Sequence, residues 1–265
     1  MGNLLRYHYR LLICTPTLLV VPAAFLLNAV IAGISNDWKL PYSGLKSVAF
    51  LLYLPTNPSF DLVRWLLILT PYLLITGLYL HDEFTGRFVN VSIQSKRSTL
   101  WLDSFLIVMT LFITVGTILG FCINMMAGFL INDGGEAVWM EGSMFEKVNA
   151  VNLLVREFIL MNGSAMIAVL TNILLTLLFR NMGVATLLTV TSIIVSFAVA
   201  RLATPLIPWL PINMGLTAFN EIQPFSLFHG TTVSVAMIVI LIALIRLVFR
   251  YRLESLFIEG LKQEG

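Results

Sequence analysis

Charge is scarce in this chain. Lysine plus arginine number 16 and aspartate plus glutamate 14 among 265 residues, so charged side chains make up only 11% and the net charge is +2. A soluble domain carries charge on about a quarter of its residues, and this sequence lacks that solvated coat. Cysteine is nearly absent too. Cys14 and Cys122 both sit in apolar runs, which speaks against a disulfide framework and for free apolar thiols. The three histidines, His8, His81 and His229, are far apart in sequence. No H-E-x-x-H, G-x-S-x-G, Cys/His cluster, G-x-x-x-x-G-K-[ST] or dinucleotide fingerprint occurs. These absences exclude a nucleotide loop of known type, leave no catalytic or metal residues to name, and disfavour an embedded enzyme.

Hydrocarbon is what the chain has. Hydrophobic residues reach 58%, and the mean hydropathy is +0.91. A bilayer core of about 30 Å takes roughly 20 apolar helical residues at about 1.5 Å each. Six runs reach that length: Leu11–Ile34, Leu62–Leu80, Trp101–Ile131, Phe158–Phe179, Val184–Leu202 and Thr231–Phe249. The expected fold is therefore all-α, a polytopic membrane protein with six transmembrane helices in a single domain over residues 1–265. The third run is long enough to tilt or emerge from the bilayer. Only "RNMG" separates the fourth from the fifth, which makes them antiparallel neighbours.

Lysine and arginine set the orientation, because cytoplasmic loops are enriched in them. With the N-terminus inside, inner segments hold Arg6, Arg10, Arg87, Lys96, Arg97, Arg180, Arg246, Arg250, Arg252 and Lys262. The outer loops hold Lys39, Lys46, Lys147 and Arg156. Six crossings return the C-terminus to the cytoplasm. The leading "NLLRYHYRLL" sets Arg6, His8 and Arg10 among leucines and tyrosines. It reads as an amphipathic helix along the inner interface or as a plain basic flank. The outer loop over 132–157 is acidic. Between spans five and six, Pro205, Pro208, Pro211 and Pro224 forbid one helix in an otherwise apolar stretch; short re-entrant helices would satisfy both facts.

Polar residues inside the spans are few. Asp103, Thr110, Thr114, Thr117 and Asn124 follow at steps of seven, four, three and seven, one face of the third helix. Such a face lines a path or seals against a neighbour, and the "GTILG" from Gly116 to Gly120 favours packing. The fifth span carries Thr189, Ser192 and Ser196, then Arg201 near its outer end, placed for snorkelling or for a substrate contact. Asn28, Asn162, Ser164 and Asn172 lie at depth and require partners, on an interior face or at a protomer contact.

Against this background "HDEFTGRFVNVSIQSKRSTLWLD", His81 to Asp103, is an island of charge on the cytoplasmic side. Glu83 is followed by Gly86, an apolar-containing run, and Ser95, Lys96 and Arg97 just ahead of span three. This resembles the cytoplasmic loop of type-2 ABC transporter permeases, in which a Glu, a Gly, an apolar stretch and a Ser-Arg pair join the second and third spans. The six-span layout, the basic N-terminal segment and the proline-rich piece before the last span extend the resemblance over most of the chain. Gln94 and Asp103 stand near places where family loops often carry a proline or small residue and a lysine.

The resemblance implies a permease subunit of an ATP-driven exporter in a cytoplasmic membrane, bacterial by family habit. The loop residues Glu83, Phe84, Gly86, Arg87, Phe88, Ser95, Lys96 and Arg97 would seat a coupling helix in a separate ATPase subunit. That partner, not this chain, would bind ATP and Mg. A second permease copy or homologue would complete the pathway, and membrane lipid surrounds it; nucleic acid is not an expected partner. By the same resemblance spans two and five face the dyad, which points to Pro71 and Thr76 and to Thr189, Ser192 and Ser196. A seam so poor in charge suits an amphipathic or hydrophobic cargo such as an antimicrobial peptide, lipid or drug. The rival expectations are an ATP-independent channel or carrier, and a membrane scaffold or sensor whose island docks a regulator.

Overall fold

The computed structural model describes residues 2–13, 16–35, 58–83, 98–130 and 148–263. Among them every regular element is helical: α1 (Gly2–Leu12), α2 (Val20–Ser35), α3 (Pro58–Asp82), α4 (Ser98–Leu130), α5 (Ala150–Phe179), α6 (Met182–Leu202), α7 (Thr217–Ile222) and α8 (Leu227–Gln263), with 3-10 turns at Pro16–Leu19, Thr204–Trp209 and Pro211–Asn213. Five helices, α3, α4, α5, α6 and α8, are long and apolar enough to cross a membrane. The chain is a polytopic helical membrane protein.

The first expected span, Leu11–Ile34, is not one helix. α1 closes at Leu12 and the chain winds again through Pro16–Leu19 into α2. Proline is the reason: Pro16 lacks a backbone N–H, and its ring disfavours helical geometry in the residue before it. Pro22 is tolerated because it falls in the first turn of α2. At their N-terminal ends the other helices outrun the apolar runs. The outer loop expected over 132–157 is helical from Ala150, where the Asn149 side chain accepts the Val151 N–H at 2.9 Å. The turn between spans four and five is as tight as expected. Arg180, in the left-handed region at φ 53°, ends α5, and the Asn181 side chain caps α6 by accepting from the Val184 N–H.

α3 and α5 form the inside of the bundle, with 56% and 61% of their spanning windows buried, against 22% for α6 and for α8. α5 is the hub, packing on α3, α4, α6 and α8, while α2 packs on α3 and α4. The glycines of "GTILG" seat α2. A Cβ on Gly120 would lie 2.4 Å from the Phe25 ring, and one on Gly116 would meet Val21 and Tyr72 at 3.1 Å. Because Val21 meets Gly116 and Phe25 meets Gly120, α2 and α4 run in the same direction. Packing is thus one role of this stretch of α4, as small residues at a helix contact imply.

The proline-rich stretch between α6 and α8 forms short helices, of which Pro211–Asn213 packs on α5 and Thr204–Trp209 on α6 and α8. Their irregular backbone is satisfied by side chains. Ser164 Oγ donates to the Pro211 carbonyl at 2.9 Å and accepts from the Gly215 N–H at 3.0 Å. Gly215 is required there, since a Cβ would fall 2.9 Å from the Met161 Cα and from the Trp65 ring.

Gly120→Ala is expected to lower the thermal midpoint in detergent, at a cost of about 1–3 kcal/mol for overpacking. Adding Phe25→Ala to that variant should return part of the loss relative to Phe25→Ala alone. Strict additivity of the two changes would contradict the α2–α4 contact.

Candidate functional site

At one end of the bundle, where α3 finishes and α4 begins, four helices converge. α1 brings Tyr7 and His8, α3 brings Tyr79 with Glu83 directly after it, α4 brings Trp101 and Phe105, and α8 brings Phe249. The pattern of α1 explains its seat. Leu4, Leu5, His8, Leu11 and Leu12 recur at helical spacing and pack on the core, while Arg6, Tyr9 and Arg10 stay exposed.

Glu83 is fully buried. Its Oε1 accepts a hydrogen bond from the Tyr7 hydroxyl at 2.6 Å, across 76 residues of sequence. A hydrogen bond contributes about 0.5–1.5 kcal/mol net, and leaving a buried polar atom without its partner costs about 1–3 kcal/mol. One turn back, His8 Nδ1 pairs with the Tyr79 hydroxyl. Aromatic rings extend the contact. Tyr79 stacks on Phe105 at 5.4 Å, Phe105 on Trp101 at 5.4 Å, and Trp101 on Phe249 at 5.9 Å. His8 meets the Trp101 ring edge-on at 5.4 Å. Beside them Arg246 of α8 donates to Asp103 of α4 at 2.7 Å. That pair is partly exposed and contributes little by itself.

Of the eight loop residues expected to form a coupling surface, only Glu83 lies among the described residues. Phe84, Gly86, Arg87, Phe88, Ser95, Lys96 and Arg97 lie outside them. Glu83 is the root of that loop, held by the bundle.

Among the described residues, most of the expected pathway side chains bond within the bundle. Pro71 and Thr76 are buried within the chain, and Thr76 donates to the Tyr72 carbonyl at 2.7 Å; α3 exposes Leu74 and Leu78 instead. On α4, Thr110, Thr114 and Thr117 each donate to the carbonyl four residues back, at 2.9 Å. Thr117 also bonds the Tyr72 hydroxyl at 3.0 Å. On α6, Thr189 and Ser192 bond their own helix in the same way, at 2.9 and 2.8 Å. Ser196 accepts from Asn213 at 2.8 Å, tying α6 to the proline-rich stretch. Arg201 lies over the Phe197 and Phe219 rings at 5.6 and 5.5 Å, a cation–π seat. Asn124 is fully buried, and neither of its amide atoms has a partner among the described residues. Continuing the Gly116–Val21 and Gly120–Phe25 register sets it opposite Ala29, next to Asn28, whose Oδ1 accepts from the buried Arg64 at 2.8 Å.

Of the deep asparagines, Asn28, Asn124 and Asn172 are buried, while Asn162 is half-buried and donates to the Phe158 carbonyl of its own helix at 3.0 Å. Asn172 of α5 donates to the Leu73 carbonyl of α3 at 3.0 Å and accepts from Thr186 of α6 at 3.4 Å, joining three helices. Sequence reasoning did not single out Tyr79 or Asn220, and placed Arg64 only at or within a helix end. Asn220 Oδ1 takes both Arg156, at 2.7 Å, and the Phe225 N–H, at 3.0 Å. Tyr79 carried one usable signal, an aromatic at a span end, where rings with a polar tip gather. Among the described residues no group of three or more His, Cys, Asp or Glu could hold a metal. Comparison of the chain with protein-family models, curated proteins and solved structures finds no match.

Burial pushes the His8 imidazole from 6.5 down to about 4, opposed in part by the Trp101 backbone. The unfolded chain then takes up a proton near pH 6.5 and the folded one only near 4, so stability is lost as pH falls through that window. The thermal midpoint of the wild type should therefore fall more steeply from pH 6.5 to 4 than that of His8→Phe. Equal slopes would show that His8 is not buried as described.

Proposed function

We propose that this chain is the permease subunit of an ATP-driven exporter, one half of a translocation pathway, coupled to a separate cytoplasmic ATPase through residues 83–97. The anchoring of Glu83 carries the reading. A loop that transmits force needs a root that does not yield, and Glu83 is buried and bonded to α1. One turn away, the Tyr79–Phe105–Trp101–Phe249 stack ties α3 to α4 and α8. A displacement of the loop would pass into four helices rather than dissipate.

Six crossings fit the same reading. The turn Pro16–Leu19 and α2 together rise about 32 Å, at about 2.0 Å per 3-10 residue and 1.5 Å per α residue, which is the thickness of a bilayer core. With α2 counted, both chain ends fall on the side richer in lysine and arginine, the cytoplasmic side. The sequence has no nucleotide loop, so ATP and Mg belong to the partner. The neighbouring exposed faces of α3 and α6, with Leu74, Leu78, Thr191 and Ser192, supply a surface of low charge for a second permease copy. That seam suits amphipathic or hydrophobic cargo. The short helices between α6 and α8 then dip into the outer leaflet as a gate, packed on α5, α6 and α8.

The test uses Phe88→Cys in a chain with Cys14→Ala and Cys122→Ala, treated with a bifunctional thiol–amine crosslinker in native membranes. The expected product joins this chain to a protein carrying a G-x-x-x-x-G-K-[ST] loop. Labelling of that cysteine by an impermeant maleimide from outside the cell would overturn the reading. A crosslinked partner without a nucleotide loop would replace it with the scaffold or sensor account.

A further inference from the structure

The exposed side of α1 holds a groove of about 380 Å³ lined by Asn3, Arg6, Tyr7, Arg10 and Leu11. These positions follow at steps of three, one, three and one, a single stripe beside the docked stripe of His8 and Leu12. Arg6 and Arg10 are one turn apart on it, and both are exposed. Two guanidinium groups at that spacing repel each other. Among the described residues neither makes an ion pair or a hydrogen bond. The described residues therefore supply these two cations with no counter-charge.

We infer that this groove binds the headgroup phosphate of an anionic phospholipid. Three observations set the class of ligand. Paired guanidinium forks match phosphate oxygens, and two of them favour a headgroup with net negative charge over a zwitterionic one. The groove is polar at Asn3, Arg6 and Arg10 and apolar at Leu11, which gives a phosphate and the first carbons of an acyl chain separate walls. It also lies beside the half-buried Tyr7 and the exposed Tyr9, rings with a polar tip of the kind that sit at headgroup depth. Tyr7 belongs both to this wall and to the Glu83 hydrogen bond, so a bound lipid would brace the root of the loop. The inference does not depend on the exporter reading; a lipid site would exist in a channel or scaffold as well.

The experiment is native mass spectrometry of the purified full-length chain, titrated in detergent with phosphatidylglycerol, phosphatidylcholine or inorganic phosphate. Phosphatidylglycerol should be retained roughly 30-fold better than phosphatidylcholine, from two arginine contacts at a membrane surface. Arg6→Gln with Arg10→Gln should bring the two lipids to near parity without changing the helical circular dichroism, and Arg6→Lys with Arg10→Lys should keep most of the preference. Equal retention of both lipids by the wild type, or an unchanged preference in the glutamine variant, would overturn the site. Displacement of phosphatidylglycerol by millimolar inorganic phosphate would overturn the lipid assignment in favour of a free anion.

Discussion

A carboxyl group that leaves water needs hydrogen bonds inside the protein, and Glu83 Oε1 draws its partner from a residue 76 positions away. The Tyr7 hydroxyl can reach it only if α1 lies on α4, and α1 lies there because one stripe of it is apolar. His8 belongs to that stripe and adds the contact to Tyr79 and the edge-on contact to Trp101. The charged island therefore begins at a point fixed by an N-terminal helix. Without Tyr7 the buried carboxyl group would lose a partner, and the chain would favour a conformation in which Glu83 returns to water and α1 lifts away.

The same demand for partners organises the rest of the bundle. α5 is central because its polar side chains satisfy groups on other elements: Ser164 the backbone around Pro211 and Gly215, Asn172 the Leu73 carbonyl and the Thr186 hydroxyl. Where no hydrogen bond is needed, close packing takes over, as when Gly116 and Gly120 admit Val21 and Phe25. In a bilayer, burial of hydrocarbon gives helices little reason to prefer one another over lipid, so such contacts set the arrangement. The exposed apolar faces of α6 and α8 follow from the same logic, since lipid satisfies them.

Five crossing helices were legible in the sequence because hydropathy over about 20 residues is a strong signal. The break after Leu12 was less so: Pro16 was visible, but the apolar composition ran across it. "GTILG" pointed to close packing and its glycines do seat α2. The stripe Thr110, Thr114 and Thr117 carried no distinguishing mark, because a threonine that bonds its own helix and one that faces a path have the same spacing. Asn28, Ser164 and Asn172 were recognisable as needing partners, while the partners themselves lie 36, 47 and 99 residues away and depend on the packed bundle. Of the loop's expected contact residues, Glu83 alone could be followed into the structure, and its tie to Tyr7 had no sequence signal beyond a tyrosine in a basic flank.

The arrangement at this end of the bundle requires that Tyr7 and Glu83 be energetically coupled. A double-mutant cycle of Tyr7→Phe and Glu83→Leu, read by reversible unfolding of the full chain in detergent, tests it most directly. A coupling of about 1–3 kcal/mol is expected, the cost of leaving a buried polar group without its partner. Additivity of the two substitutions within about 0.5 kcal/mol, as for independent sites, would contradict it.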